Sequence, residues 1–322
     1  MSADRTGDPA AARPARRAAL PALAVALLGL AAASLVPGYF ARKGPAGGAA
    51  RRVERIVSLS PSTTETVFAL GLGAKLIGVS SACDWPPEAS RLPRMGDYGG
   101  PAVEKILAAR PDLIVLSGRQ MENQMSDFRR SGLPVYFAPD GSVEEIAAGF
   151  EELGRLAGAA EAGRKLSAEL RAAFAAARAR TARLAGPERP RVYVEISYDP
   201  VFAIGRDNFV DELVRAAGGA NVLGSLGEGY FQPAVESIIR LDPEVIVLTS
   251  MTPDGPPAAQ FAAQVARRPG WSGLSAVRHG RVWADLSPDL LLRPGPRLAE
   301  GLERLGARLA AVRGAAPAEP AQ

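Results

Sequence analysis

Two fifteen-residue stretches, VEKILAARPDLIVLS at residues 103–117 and VESIIRLDPEVIVLT at residues 235–249, fix how the rest of the chain is read. They align without a gap and share Val, Glu, Ile, Pro and the Ile-Val-Leu run. In each, a short helical segment stops at a Pro, and an unbroken apolar run follows, as in a strand buried on both faces. Such a helix–turn–strand unit is common by itself. Its recurrence at equivalent places in two α/β halves points to two similar lobes.

Around the first copy, residues 56–59, 76–79 and 133–137 read as further strands. Residues 60–65 (SPSTTE) supply N-cap chemistry for a helix over 66–70, which Gly71 and Gly73 stop. Around the second copy, residues 192–196, 222–223 and 281–284 read as strands and 210–217 as a helix. Between the halves, residues 161–184 are rich in Ala, Arg, Leu and Glu and free of Pro. A helix of that length spans about 36 Å at 1.5 Å per residue. The expected fold is therefore two α/β lobes with mostly parallel sheets, residues 53–158 and 187–316, joined by one long connecting helix at 159–186. Lobes joined by a stiff helix rock slightly about a ligand in the cleft between them rather than close widely.

The 322-residue chain carries a formal charge of +4, but the charge is unevenly placed. Residues 1–52 hold eight of the 38 basic residues and two of the 34 acidic ones. The remainder is mildly acidic, which argues against a nucleic-acid surface on the folded part. Arg13, Arg16 and Arg17 precede an apolar run at residues 20–36, the pattern of an export signal or membrane anchor helix. No Cys stands directly after that run, so a lipoprotein signal is not expected. Residues 44–50 (GPAGGAA) read as a flexible tether. The folded part is expected in the periplasm, held at the inner membrane wherever the segment is left uncleaved.

Catalysis finds little support. Cys83 and His279 are the single Cys and single His, so intrachain disulfides, multi-Cys zinc sites and multi-His metal centres are excluded. His279 sits in an RHGR turn, with no nucleophile paired to it in sequence, and no phosphate-cradling glycine loop is present.

Residues 55–89 (RIVSLSPSTTETVFALGLGAKLIGVSSACDWPPEA), the two repeats, FVDELVRAAGGANVLG at 209–224, HGRVWAD at 279–285 and RPGPRLAEGLERLGARL at 293–309 together resemble the cobalamin and iron-siderophore binding proteins of ABC importers. The resemblance covers residues 53–313 in order and implies two α/β lobes bridged by a long helix. It also implies capture of a bulky metal chelate and its delivery to a permease dimer with its ATPase subunits. No cofactor of the protein's own is expected, because the metal arrives inside the ligand, and a monomer is expected.

A large flat chelate calls for aromatic platforms and a few polar anchors at loops after strand ends. Trp85 follows the strand at 76–79, Tyr98 lies in MGDYGG, Tyr198 and Phe202 follow the strand at 192–196, and Tyr230 and Phe231 precede the second repeat. The resemblance implies that these aromatics line a cobalamin cleft. Arg119, Arg206 and Arg293 instead suit the carboxylates or catecholates of a ferric siderophore, and His279 leaves haem open as a third ligand. Glu104 and Glu236 hold the same place in each repeat. A first-turn carboxylate complements the helix dipole; the resemblance implies in addition that each docks into an arginine pocket on one permease subunit. From another class, a membrane-tethered enzyme acting on metal chelates, or a sensor, remains the alternative.

Overall fold

The computed structural model of the chain describes residues 52–117, 128, 132–198, 200–249 and 258–314. All belong to the unit that runs from Tyr39 to Gln322. The expected export segment, the tether and Arg119 lie outside the described residues.

The first lobe contains β1 (Ile56–Ser58), α1 (Pro61–Ala69), β2 (Leu76–Val79), α2 (Val103–Ala108), β3 (Leu113–Ser117) and β4 (Val135–Ala138). Its strands form one parallel sheet in the order β2-β1-β3-β4. Two helices follow, α3 (Val143–Ala157) and α4 (Ala160–Thr181). The second lobe contains β5 (Arg191–Tyr198), β6 (Val201–Ile204), α5 (Phe209–Ala216), β7 (Ala220–Asn221), β8 (Tyr230–Phe231), α6 (Val235–Leu241) and β9 (Val245–Leu248). It ends with α7 (Ala258–Ala266), α8 (Ser275–Arg278), β10 (Val282–Trp283), α9 (Pro288–Leu291) and α10 (Leu298–Gly314). Here β10, β9 and β5 run parallel, whereas β6 and β8 are antiparallel, so this sheet is mixed.

The repeat holds at the level of single atoms. α2 leads into β3, and α6 into β9, each beside the first strand of its lobe. Ile106 and Ile238 are fully buried beneath the two helices. After each helix a non-glycine residue turns left-handed, Arg110 at φ 48° and Asp242 at φ 42°. The acidic residue after Pro then caps the neighbouring strand. Asp112 accepts from the amides of Glu54 and Arg55 at 3.0 Å, and Glu244 from the amide of Arg191 at 2.9 Å. Arg55 and Arg191 donate in turn to carbonyls at the ends of α2 and α6. These donors satisfy carbonyls that a helix end leaves unpaired.

α3 was not expected from the sequence, although its start is marked. Ser142 and Glu145 form a reciprocal capping box, and Gly158 ends the helix at φ 82°. With α4 it makes the bridge a helix pair. Val143, Ile146 and Phe150 of α3 pack with Leu170 and Phe174 of α4 on the second sheet's Val192, Val194, Val245 and Val247. One turn later, Leu153 and Ala157 pack on the first sheet's Ile56, Leu113 and Val115. One helix pair thus belongs to both cores. The pair approaches closely at Gly154 and Gly163, where a Cβ on Gly163 would lie 2.7 Å from the Phe150 carbonyl oxygen.

Three further expectations need correction. α1 begins at Pro61, five residues before the expected start, because Ser60 does not cap it but bonds to β3. Residues 222–223 form a turn after β7 rather than a strand. Tyr198, Phe202, Tyr230 and Phe231 lie in strands β5, β6 and β8 rather than in open loops, because β5 runs on into a hairpin with β6 and β8 adds to its edge.

Candidate ligand-binding site

In the order β2-β1-β3-β4 the chain reverses its direction of build between β1 and β3. The crevice beyond the carboxyl ends of two such strands is where open α/β sheets bind ligands. Both ends carry hydroxyls. Ser60 donates to the carbonyl of Ser117 at 3.0 Å and accepts from its amide at 2.8 Å. Ser62 and Ser117 join hydroxyls at 2.7 Å, and Ser58 meets Thr63 and Thr64 at 2.8 Å each. All six residues are buried. Buried hydroxyls cost free energy unless paired, and here they pair across the switch point and fix the two loop ends.

Two of the expected aromatics sit over this edge. Tyr98 is half-buried and donates to the Ser117 carbonyl at 3.4 Å. Burial, and the neighbouring negative charge of Asp140, push its hydroxyl above the ordinary tyrosine range, so it stays a donor. Trp85 follows β2 and is 45% exposed.

Beside Trp85 lies an ion cluster that sequence reasoning missed. Glu65 of α1 is buried, and Arg297 holds it with a two-pronged fork at 2.9 and 2.7 Å. Arg293 adds a third contact to Glu65 at 3.0 Å and also reaches Asp84 at 2.8 Å and Asp289 at 2.8 Å. The Arg297 guanidinium lies over the Trp85 ring, 4.8 Å from its centroid. Arg293, expected to anchor ligand, thus has its donors on three carboxylates. Burial pushes Asp84 up, but the hydrogen bonds and charge of Arg293 outweigh it and hold the carboxyl below its usual range. Asp289 runs the other way, pushed up by burial against the pull of Arg293. No local pattern links residues 65 and 297; only the fold brings them together.

The second-lobe residues are more scattered. Tyr198 ends β5 opposite Val201, and Phe202 lies half-buried on β6. Phe231 is half-buried against the second core, while Tyr230 beside it is half exposed. Arg206 lies at the other end of β5 from Tyr198, paired with Asp207 and Glu228. It borders a cavity of about 620 Å³ whose other arginines are also engaged, Arg178 with Glu212, Arg215 with Asp211 and Arg189 with the carbonyls of Thr181 and Arg215.

Glu104 and Glu236 are both exposed in the first turns of α2 and α6. Cys83 is buried, and burial pushes its thiol up despite hydrogen bonds with Ser80 and Thr64. His279 is exposed, its Nδ1 donating to the Ser275 carbonyl at 2.8 Å.

Residues 56–288 match the family model described as periplasmic binding protein. An uncharacterized ABC transporter substrate-binding lipoprotein of Bacillus subtilis, YvrC, is 32% identical over 78% of each chain. The solved periplasmic vitamin B12 binding protein BtuF of Vibrio cholerae is 28% identical, with a TM-score of 0.69 over 82% of this chain and 99% of that one. A periplasmic heme binding protein of Pseudomonas aeruginosa is 27% identical, with a TM-score of 0.70 over 84% and 95%. With the two lobes, the helical bridge and the family match in agreement, the chain belongs to the periplasmic binding protein family of ABC importers.

Proposed function

We propose that the protein captures cobalamin or a related corrinoid outside the cytoplasm and delivers it to a membrane permease without changing it covalently. The observation that carries this reading is the pair of aromatics, Trp85 and Tyr98, at the carboxyl edge of the parallel sheet, where switch-point loops are tied down by buried hydroxyls. An exposed indole beside a polar rim suits a flat macrocycle edged with amide groups. The likeness to BtuF, whose ligand is vitamin B12, supports the same choice. The metal travels inside the ligand, so the protein needs no metal-binding residues of its own. The likeness to a heme binding protein favours haem as the second reading.

Delivery rests on Glu104 and Glu236. Each opens the helix of one repeat, each is exposed, and the repeats carry the lobes' pseudo-symmetry down to single hydrogen bonds. Two equivalent carboxylates, one per lobe, suit a permease built of two similar subunits with basic pockets, where charge complementarity sets orientation and association rate. The basic Arg13, Arg16 and Arg17 and the apolar run at residues 20–36 support a periplasmic location for the folded part, tethered where that segment is uncleaved. The test is cyanocobalamin uptake in cells lacking the gene. The parent chain restores it; Glu104→Ala combined with Glu236→Ala binds cyanocobalamin as the parent does but restores no uptake. Full uptake by the double variant overturns the docking role, and no uptake with the parent overturns the corrinoid reading.

A further inference from the structure

The cluster around Glu65 contains more than burial of one carboxylate requires. A single two-pronged arginine satisfies Glu65, and Arg297 already supplies it. Arg293 nevertheless joins from four residues away and extends to Asp84. The result is that two consecutive residues of one loop are each held by one arginine, Asp84 through its carboxylate and Trp85 through the face of its ring. Both arginines belong to the C-terminal segment, 228 and 232 residues beyond Glu65 in the chain. A clasp that merely joined the two ends of the domain would have no need to touch the exposed aromatic at all.

We propose that Arg297, seated on Glu65, is a positioning residue that fixes the ring of Trp85 as a rigid platform for a flat macrocyclic ligand, with Arg293 steadying the same loop through Asp84. The inference rests on the reading of Trp85 as a ligand contact. An aromatic fixed before the ligand arrives loses less conformational freedom on binding. A guanidinium stacked on one face also leaves the opposite face as the surface for a flat partner. Lysine at position 297 keeps the charge next to Glu65 but loses both the fork and the planar stack.

The tryptophans provide a readout that needs no ligand. Trp271 and Trp283 are 1% and 9% exposed, so fluorescence quenched by acrylamide in water reports on Trp85. In the full-length protein, Arg297→Lys is expected to raise the quenching constant of the accessible tryptophan about twofold, because the face covered by the guanidinium opens and both faces become accessible. The fast part of its anisotropy decay should grow with it. Asp84→Asn, at the exposed end of the cluster, leaves the buried fork in place and is expected to give a smaller rise; it carries the test if Arg297→Lys does not fold. In titrations with cyanocobalamin, Arg297→Lys should weaken binding roughly tenfold, and should cost nothing further when Trp85→Ala is already present. Unchanged quenching and anisotropy in the folded variants overturns the inference, as does an equal loss of affinity with and without Trp85. Failure of the parent to bind cyanocobalamin instead overturns the ligand assignment and leaves the fluorescence result standing.

Discussion

Replacing Glu65 with Gln keeps the shape of the side chain and removes its charge from beneath two arginines. Glu65 is 2% exposed and receives three charged hydrogen bonds between 2.7 and 3.0 Å. Removing one partner of a buried ion pair costs about 3–5 kcal/mol, because the other charge is left without compensation. Two features reduce that figure. Arg293 retains Asp84 and Asp289, and both arginines keep some contact with water, at 16% and 19% exposed. The Gln carbonyl also still accepts one hydrogen bond. A loss of about 2–3 kcal/mol remains, which for a domain of this size lowers the melting temperature by roughly 5–10 °C. The control is Glu104→Gln, an exposed carboxylate without an ion pair among the described residues, whose removal should change stability by less than about 0.5 kcal/mol. Thermal melts followed by circular dichroism at pH 7 compare the two directly. If Glu65→Gln melts within about 2 °C of the parent, the cluster does not hold the two ends of the domain together as argued.

Ser60→Ala removes the buried hydroxyl that accepts from the Ser117 amide and donates to its carbonyl, leaving the amide without that acceptor, and should cost about 1–3 kcal/mol in denaturant melts, with faster hydrogen exchange at the Ser117 amide. Gly163→Val drives a side chain into the backbone of α3 at Phe150 and Glu151, and should lower stability by about 1–3 kcal/mol; a neutral result would mean that the bridge helices are not tightly seated. Acid should act through the arginine-held carboxylates. Side-chain hydrogen bonds from Arg171 and Arg308 hold Glu144 and Asp285 below their ordinary range, and Arg293 outweighs burial at Asp84. Their folded-state values lie below the unfolded ones, so their stabilisation is complete above about pH 4–5 and is lost as pH falls through the lowered values. Asp289, raised by burial, contributes in the opposite sense over the interval just above its ordinary value. Melts between pH 7 and pH 3 should therefore be flat at first and fall below about pH 4, less steeply once Asp285→Asn and Asp84→Asn are introduced together.

The architecture was legible where local patterns repeat. The Pro-ended helix and apolar strand of residues 103–117 and 235–249 carried both lobes, because such a unit encodes its own geometry in the helix stop and the buried run. α4 was legible for the same reason, as a Pro-free stretch of good helix formers. The short strands β6, β7 and β8 were not, since two to four residues give no periodicity and their pairing depends on a distant edge. Within the site, Trp85 and Tyr98 stood out as aromatics in Gly- and Pro-rich loops. Glu65 and Ser60 did not. Both lie in a stretch whose hydroxyls and carboxylate look like helix-capping groups, and their actual partners, Arg297 and Ser117, are 232 and 57 residues away. Charge complementarity between segments that far apart leaves no mark in either one.

The central claim is that the folded part is a corrinoid carrier. Calorimetric titration of the protein with cyanocobalamin, haemin and several ferric siderophores tests it most directly. The account expects cyanocobalamin to bind at micromolar concentration or below, with quenching of the exposed Trp85 and weaker or no heat from the other chelates. Binding of a ferric siderophore or haemin with no response to cyanocobalamin would contradict it.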